Sequence, residues 1–210
     1  MQTFEIKNPR VLALLERLRY LYIDKYDIAR TNNLMCSPDE DANLWLSTEY
    51  RDSIIGMGED HNGAPETARS YAIKPKHYKG SDPEYLKDYA EVDSALRTEL
   101  GVKVNALSQL YPPEGFISWH NNANASGYNL IFTWSETGDG WFKYIDQAGQ
   151  EVTMHDTKGW SLKAGYFGGY DDGYTCYHAA YTKCWRMTHS FILAKDEDYW
   201  LDCLDYIQYM

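Results

Sequence analysis

The sequence predicts a mainly β protein with N-terminal helices, a double-stranded β-helix (jelly-roll) core buttressed by helices. Three observations lead there. Helix caps and apolar residues at helical spacing occupy the first hundred positions. From Val102 the pattern changes to short β-rich runs divided by turn residues. Helical spacing returns only in the tail. Eight short strands following helices fit two packed sheets better than a parallel α/β core.

Asn8-Pro9 caps a first helix whose apolar positions Val11, Leu14, Leu15, Leu18, Leu21 and Tyr22 fall on one face. Ser37-Pro38-Asp39-Glu40 reads as a capping box opening a second helix toward Ile55. Ser81-Asp82-Pro83-Glu84 repeats the device for a third, ending near Gly101. Residues 56–80, with Gly56, Gly58, Gly63, Pro65, Pro75 and Gly80, read as a long loop bordering a binding opening. The segment 168–175 is expected to border the same opening. Strands are predicted at 103–111, 115–121, 127–134, 140–145, 150–154, 160–167, 175–181 and 184–193. A final helix, about 197–208, is expected to bury Trp200, Leu201, Leu204 and Ile207. The chain therefore divides into helical support (1–101), a jelly-roll core (102–195) and a C-terminal helix (196–210), all within one domain.

Hydrophobic content of 44%, with 19 Tyr and 7 Trp, is that of a globular protein. The net charge of −11 argues against duplex DNA as the main partner, because phosphate binding needs a basic face. No apolar run approaches the roughly 20 residues of a membrane span, and Met1-Gln-Thr-Phe-Glu-Ile-Lys lacks signal-peptide architecture, so a cytoplasmic location is expected. Four cysteines without paired spacing fit a reducing compartment. Cys176, His178, Cys184 and His189 suggest zinc, but Cys184 and His189 differ in parity along one strand and point to opposite faces.

The chemistry-bearing stretch is Tyr111-Pro-Pro-Glu-Gly-Phe-Ile-Ser-Trp-His120-Asn-Asn122, answered by Tyr177-His178-Ala-Ala-Tyr-Thr-Lys-Cys-Trp-Arg186-Met-Thr188. In a strand, residues of equal parity share a face, so His120 and Asn122 are expected to point together, as are Cys176, His178 and Ala180. Arg186, Thr188 and Ser190 share one face of the last strand; Met187, Phe191 and Leu193 share the other. A buried arginine needs an anion, and no acidic residue lies nearby in sequence. A bound carboxylate would satisfy it, with Thr188 adding a hydroxyl contact. Isolated histidines are more often packing groups than ligands, the reading given to His61, His77, His155 and His189. Trp119, Trp134, Trp141 and Trp160 read mainly as core.

Residues 104–193 resemble the core of the iron(II)/2-oxoglutarate-dependent oxygenases, in the prolyl-hydroxylase-like or aspartyl/asparaginyl-hydroxylase-like branch. That family's pattern is His-x-Asp/Glu, a second His about sixty residues on, and an Arg about eight to ten residues later. Tyr111-Pro-Pro-Glu-Gly115 is similar to the turn before the first ligand. Tyr128–Trp134 with Gly138-Asp-Gly-Trp-Phe142 is similar to the family's next strand, turn and strand. Asp156-Thr-Lys-Gly-Trp160 with Gly165-Tyr-Phe167 is similar to the hairpin before its second histidine. The resemblance implies that His120 and His178 ligate iron(II), that Arg186 and Thr188 hold the distal carboxylate of 2-oxoglutarate, and that Tyr111 is a further co-substrate contact. It also implies dioxygen as co-substrate and hydroxylation of a protein side chain, amino acid or small metabolite.

Asn122 stands where the family carries its acid. There are four readings of it: Asn122 or a water coordinates; chloride fills the position, as in related halogenases; Asp139, Asp156, Asp171 or Asp172 substitutes from a loop; or the jelly roll is a catalytically inactive binding or assembly module. In that last case Asn121-Asn122-Ala-Asn124 packs as a hydrogen-bonded turn.

Overall fold

In a computed structural model, residues 1–27, 29, 34–35, 40–73, 83–193 and 195–209 are described. Two antiparallel sheets form a jelly roll. The larger runs in the order β1-β9-β6-β11-β4-β3 and the smaller in the order β2-β5-β10-β7-β8. Their strands are β1 (Gln2–Phe4), β2 (Ala68–Arg69), β3 (Tyr71–Ala72), β4 (Val104–Tyr111), β5 (Gly115–His120), β6 (Gly127–Ser135), β7 (Gly140–Ile145), β8 (Glu151–His155), β9 (Gly159–Phe167), β10 (His178–Thr182) and β11 (Arg186–Ile192). Each of the eight expected strands is present, most shifted only at their ends, and the last two begin two to three residues late.

Helix α1 (Pro9–Arg19) starts where Asn8 Oδ1 accepts from the Arg10 and Val11 amides at 2.9 and 3.3 Å. It passes directly into a π-helical stretch, Tyr20–Lys25. The second expected helix is two short ones, α2 (Ala42–Trp45) and α3 (Thr48–Met57). They are separately capped by Asp41 and Ser47, so the chain restarts at Ser47 instead of running on. The capping box at Ser37-Pro38-Asp39 lies outside the described residues, as do Cys36, His77 and the caps at Ser81-Asp82. Helix α4 (Pro83–Glu99) buries Tyr85, Tyr89, Val92 and Leu96 along one stripe. Helix α5 (Glu197–Tyr209) buries Cys203, Leu204 and Ile207; Leu201, expected inside, sits at the margin of that apolar stripe and is 47% exposed.

The stretch expected as one long loop contributes a strand to each sheet. β2 pairs with β5 (Ala68↔Ile117) and β3 with β4 (Tyr71↔Leu110), and Ser70 alone separates them. The extended backbone and sheet-edge pairing there are tertiary, which local composition does not encode.

The helices pack on the outer face of the larger sheet. Leu15, Leu18, Val92, Leu96, Phe132, Leu162, Met187 and Phe191 belong to one buried cluster, each fully withdrawn from water. Burying such side chains is worth about 1.5–3 kcal/mol apiece. The inner face of that sheet is different: Thr133, Ser161, Lys163, Arg186, Thr188 and Ser190 are all polar and all buried.

Candidate active site

A cavity of about 280 Å³ lies between the sheets. The smaller sheet supplies His120, His178, Ala180 and Phe142 to it; the larger supplies Tyr111, Gln109, Arg186, Thr188 and Ser190. Gly63, Ala64 and Pro65 line it from the segment before β2. All six residues singled out in the sequence (Tyr111, His120, Asn122, His178, Arg186 and Thr188) line this one cavity. Its aromatic walls are Tyr111, Phe142 and Phe167, while Trp119 faces away and donates to the Leu46 carbonyl at 3.2 Å.

His120 and His178 are cross-strand partners, with ring centroids 4.1 Å apart. The next partners in register are Ala180 and Ile117, so β5 advances three residues while β10 advances two. This bulge turns both Ile117 and His120 into the cavity although their parity differs. His120 Nδ1 sits 2.8 Å from the Ser118 carbonyl and His178 Nδ1 sits 2.9 Å from the Cys176 carbonyl. A carbonyl only accepts, so each Nδ1 carries the ring proton and each Nε2 keeps its lone pair. Burial, then the neighbouring His178, hold His120 well below the usual imidazole range; burial brings His178 down to about 4. Two neutral imidazoles with free lone pairs suit a divalent metal ion.

Asn122 reaches the cavity by a different route from the one expected. β5 ends at His120, and the chain then turns: Asn121 Oδ1 accepts from the Ala123 amide at 2.6 Å and the Asn122 carbonyl accepts from Ala125 at 2.9 Å. Ala123 lies at φ 48°, a left-handed position. The turn anticipated for this polar cluster is thus present, and it leaves Asn122 on the cavity wall. Among the described residues no three His, Cys, Asp or Glu side chains gather as a metal site.

None of the four candidate substitute carboxylates lines the cavity. Asp139 accepts from Thr137 at 2.7 Å, and Asp172 accepts from Lys195 and the Gly169 amide at 2.5 and 2.8 Å. Asp156 is the instructive case. Its Oδ2 accepts from Arg186 Nε at 2.8 Å and its Oδ1 from Lys163 Nζ at 2.6 Å. The expectation that Arg186 lacks a protein anion is therefore corrected: the β8–β9 turn delivers one from thirty residues upstream. Burial pushes Asp156 up, but Arg186 and Lys163 outweigh it and leave the carboxyl below its usual range.

Arg186 remains incompletely satisfied. Nη1 donates to Thr188 Oγ1 at 2.6 Å, while Nη2 is buried with no partner among the described residues. Its guanidinium lies 5.4 Å from the Tyr111 ring centroid. Tyr111 Oη donates to Gln109 Oε1 at 2.6 Å, and burial, against Arg186, raises its phenol to about 12.

Lys163 was not singled out from the sequence. Its signal was there: a lysine at the centre of the run Trp160-Ser-Leu-Lys-Ala-Gly, where a buried strand should be apolar. The zinc grouping is absent, since Cys184 contacts Ser135 at 3.3 Å while His189 binds Ser108 at 2.8 Å. His155 is exposed.

No protein-family model matches the chain, and no curated protein matches it. Among solved structures, a Pseudomonas putida prolyl-4-hydroxylase is 16% identical, with 91% of this chain and 90% of that one covered and a TM-score of 0.42. A 2OG-Fe(II) oxygenase family oxidoreductase from Burkholderia pseudomallei is 10% identical over 92% and 94%, with a TM-score of 0.37. A full-length Neurospora crassa protein solved in complex with alpha-KG is 10% identical over 88% and 70%, with a TM-score of 0.38.

Proposed function

We propose that this protein is an iron(II)- and 2-oxoglutarate-dependent oxygenase that hydroxylates its substrate. One observation carries the reading: a single cavity presents two neutral imidazoles with free lone pairs and a buried arginine with an unpartnered Nη2. His120 and His178 would hold the metal through Nε2, with the Asn122 amide oxygen or a water beside them. Two imidazoles suit iron(II), and the missing carboxylate lowers the affinity without changing the ligand class. When bound, iron(II) with 2-oxoglutarate and dioxygen supplies an oxidant able to hydroxylate a C–H bond.

The chain's own residues have plainer tasks. The Ser118 and Cys176 carbonyls fix the ring orientations and keep the protons on Nδ1. Arg186 Nη2 would donate to the distal carboxylate of 2-oxoglutarate, and Thr188 holds Nη1 so that the fork cannot rotate. Tyr111 covers the guanidinium, and Phe142 and Phe167 pack against the His178 ring, keeping water from it. The primary substrate is a protein side chain, amino acid or small metabolite.

Anaerobic titration with iron(II) and 2-oxoglutarate tests the proposal through the visible charge-transfer absorption of the chelate. Its absence would overturn the reading at the binding step. Asn122 favours a second reading, a catalytically inactive jelly roll that has lost its metal and serves as a binding or assembly module. One equivalent of iron retained by the wild type and lost in His178→Ala excludes it. Product mass with chloride present separates halogenation from hydroxylation.

A further inference from the structure

Against the inner face of the larger sheet lie three ionisable groups withdrawn from water, two on its strands and one from the β8–β9 turn. The side chains of Lys163 and Asp156 are 0% exposed and that of Arg186 is 2% exposed. Asp156 spends one oxygen on each cation. Burial, with the Arg186 charge, lowers the Lys163 ammonium from its ordinary value while Asp156 opposes the shift, and the 2.6 Å contact of Lys163 Nζ with Asp156 is that of an ion pair. Two cations therefore share one anion, which leaves a net positive charge buried at one end of the cavity. An uncompensated buried ion is unfavourable, so this arrangement calls for an anion.

An unsatisfied donor on the cavity wall marks where that anion belongs: Arg186 Nη2 has no partner among the described residues. Thr133 Oγ1 and Ser161 Oγ, also without a partner there, lie behind the cavity lining. Thr188, Thr133 and Ser161 are register partners across β11, β6 and β9, so their side chains form a row on one face beside Arg186.

We propose that Lys163 is a positioning residue for a ligand carboxylate, acting through Asp156 to keep the arginine end of the cavity net positive. The proposal rests on the reading of this cavity as a 2-oxo acid site and adds to it a rule for selecting dicarboxylates. Without Lys163, Asp156 and Arg186 neutralise one another, and an incoming carboxylate would bring an excess negative charge into a buried site. With Lys163, the same carboxylate brings the cluster to neutrality. Asp156 also fixes the guanidinium by taking Nε, which leaves Nη2 as the group offered to the ligand.

Calorimetric titration of the full chain loaded with Mn(II) tests this, with 2-oxoglutarate as the dicarboxylate and 2-oxobutyrate as the probe lacking the distal carboxylate. Lys163→Met keeps the Asp156–Arg186 pair and is expected to fold. It should weaken 2-oxoglutarate by about tenfold or more while 2-oxobutyrate changes less than about twofold. Asp156→Asn raises the cluster's charge and should leave 2-oxoglutarate binding equal or tighter, the opposite sign. Wild-type affinity in Lys163→Met overturns the proposal. So does an equal loss of both ligands in both variants, the signature of a merely structural role. If the wild type binds neither 2-oxo acid, the oxygenase reading fails separately. Glutarate titrated against metal-free protein then decides the carboxylate site: weaker binding in Lys163→Met supports it, and no difference refutes it.

Discussion

The two ends of the cavity solve opposite electrostatic problems. At the histidine end, on the smaller sheet, every group is neutral: two deprotonated Nε2 atoms and an amide. At the arginine end, on the larger sheet, three full charges are packed together and sum to a positive excess. A cation at the first end meets lone pairs but no counter-charge, whereas an anion at the second meets a surplus of positive charge. A dianionic ligand spanning both would supply the negative charge that each end lacks. Under the proposed function such a ligand would add its charge to the histidine end as well as to the arginine end, and metal and ligand binding should reinforce each other.

The largest way to break that comparison is His178→Ala. Losing a partner behind a metal ligand costs about 10–100-fold in affinity, so losing the ligand should cost more than about a hundredfold. Metal analysis of the purified variant should show the iron gone, while glutarate binding at the other end stays within about twofold. If glutarate binding collapses as well, the two ends are not separable.

Acid should act on the arginine end instead. The Asp156 carboxyl is held below its ordinary value, so its stabilising contribution is complete above about pH 4 and disappears as pH falls below that. Urea unfolding of the wild type and Asp156→Asn should differ by about 3–5 kcal/mol at pH 7, the gap closing as pH drops below the carboxylate range. A gap that persists at low pH would mean that Asp156 acts through shape and not charge.

The smallest change sharpens the histidine end. Asn122→Asp adds the missing negative charge and should raise metal affinity by about tenfold. It should also shrink the amount by which 2-oxoglutarate enhances metal binding, measured as the ratio of metal affinities with and without the co-substrate. Unchanged affinity would mean that residue 122 does not reach the metal.

Much of the architecture was legible because strand runs and turn residues carry local signals. The alternation along β11 that sends Met187 and Phe191 to the helices and Arg186 and Thr188 to the cavity comes directly from strand parity. Three features were not legible, for related reasons. The bulge in β5 depends on pairing with β10, so parity alone misjudges the relation of Ile117 to His120. The Asp156–Arg186 pair joins residues thirty positions apart, and proximity in sequence is a poor guide to charge compensation. The two short strands around Ser70 have no propensity signal of their own and exist because sheet edges accept them. Lys163, by contrast, was visible as a charge within a buried strand and needed only the question already asked of Arg186.

The link at Ser70 has a mechanical consequence. β2 and β3 sit on edges of opposite sheets, and only two residue steps, from Arg69 through Ser70 to Tyr71, join those edges. An extended chain reaches about 7 Å in two steps, less than the roughly 10 Å at which packed sheets stand, so the edges draw together at this corner. The tether has no slack, so this side of the sandwich is stitched shut. Breathing that admits or releases a ligand must occur elsewhere along the rim, and lengthening the tether by a few residues would loosen the one edge the fold has sewn closed.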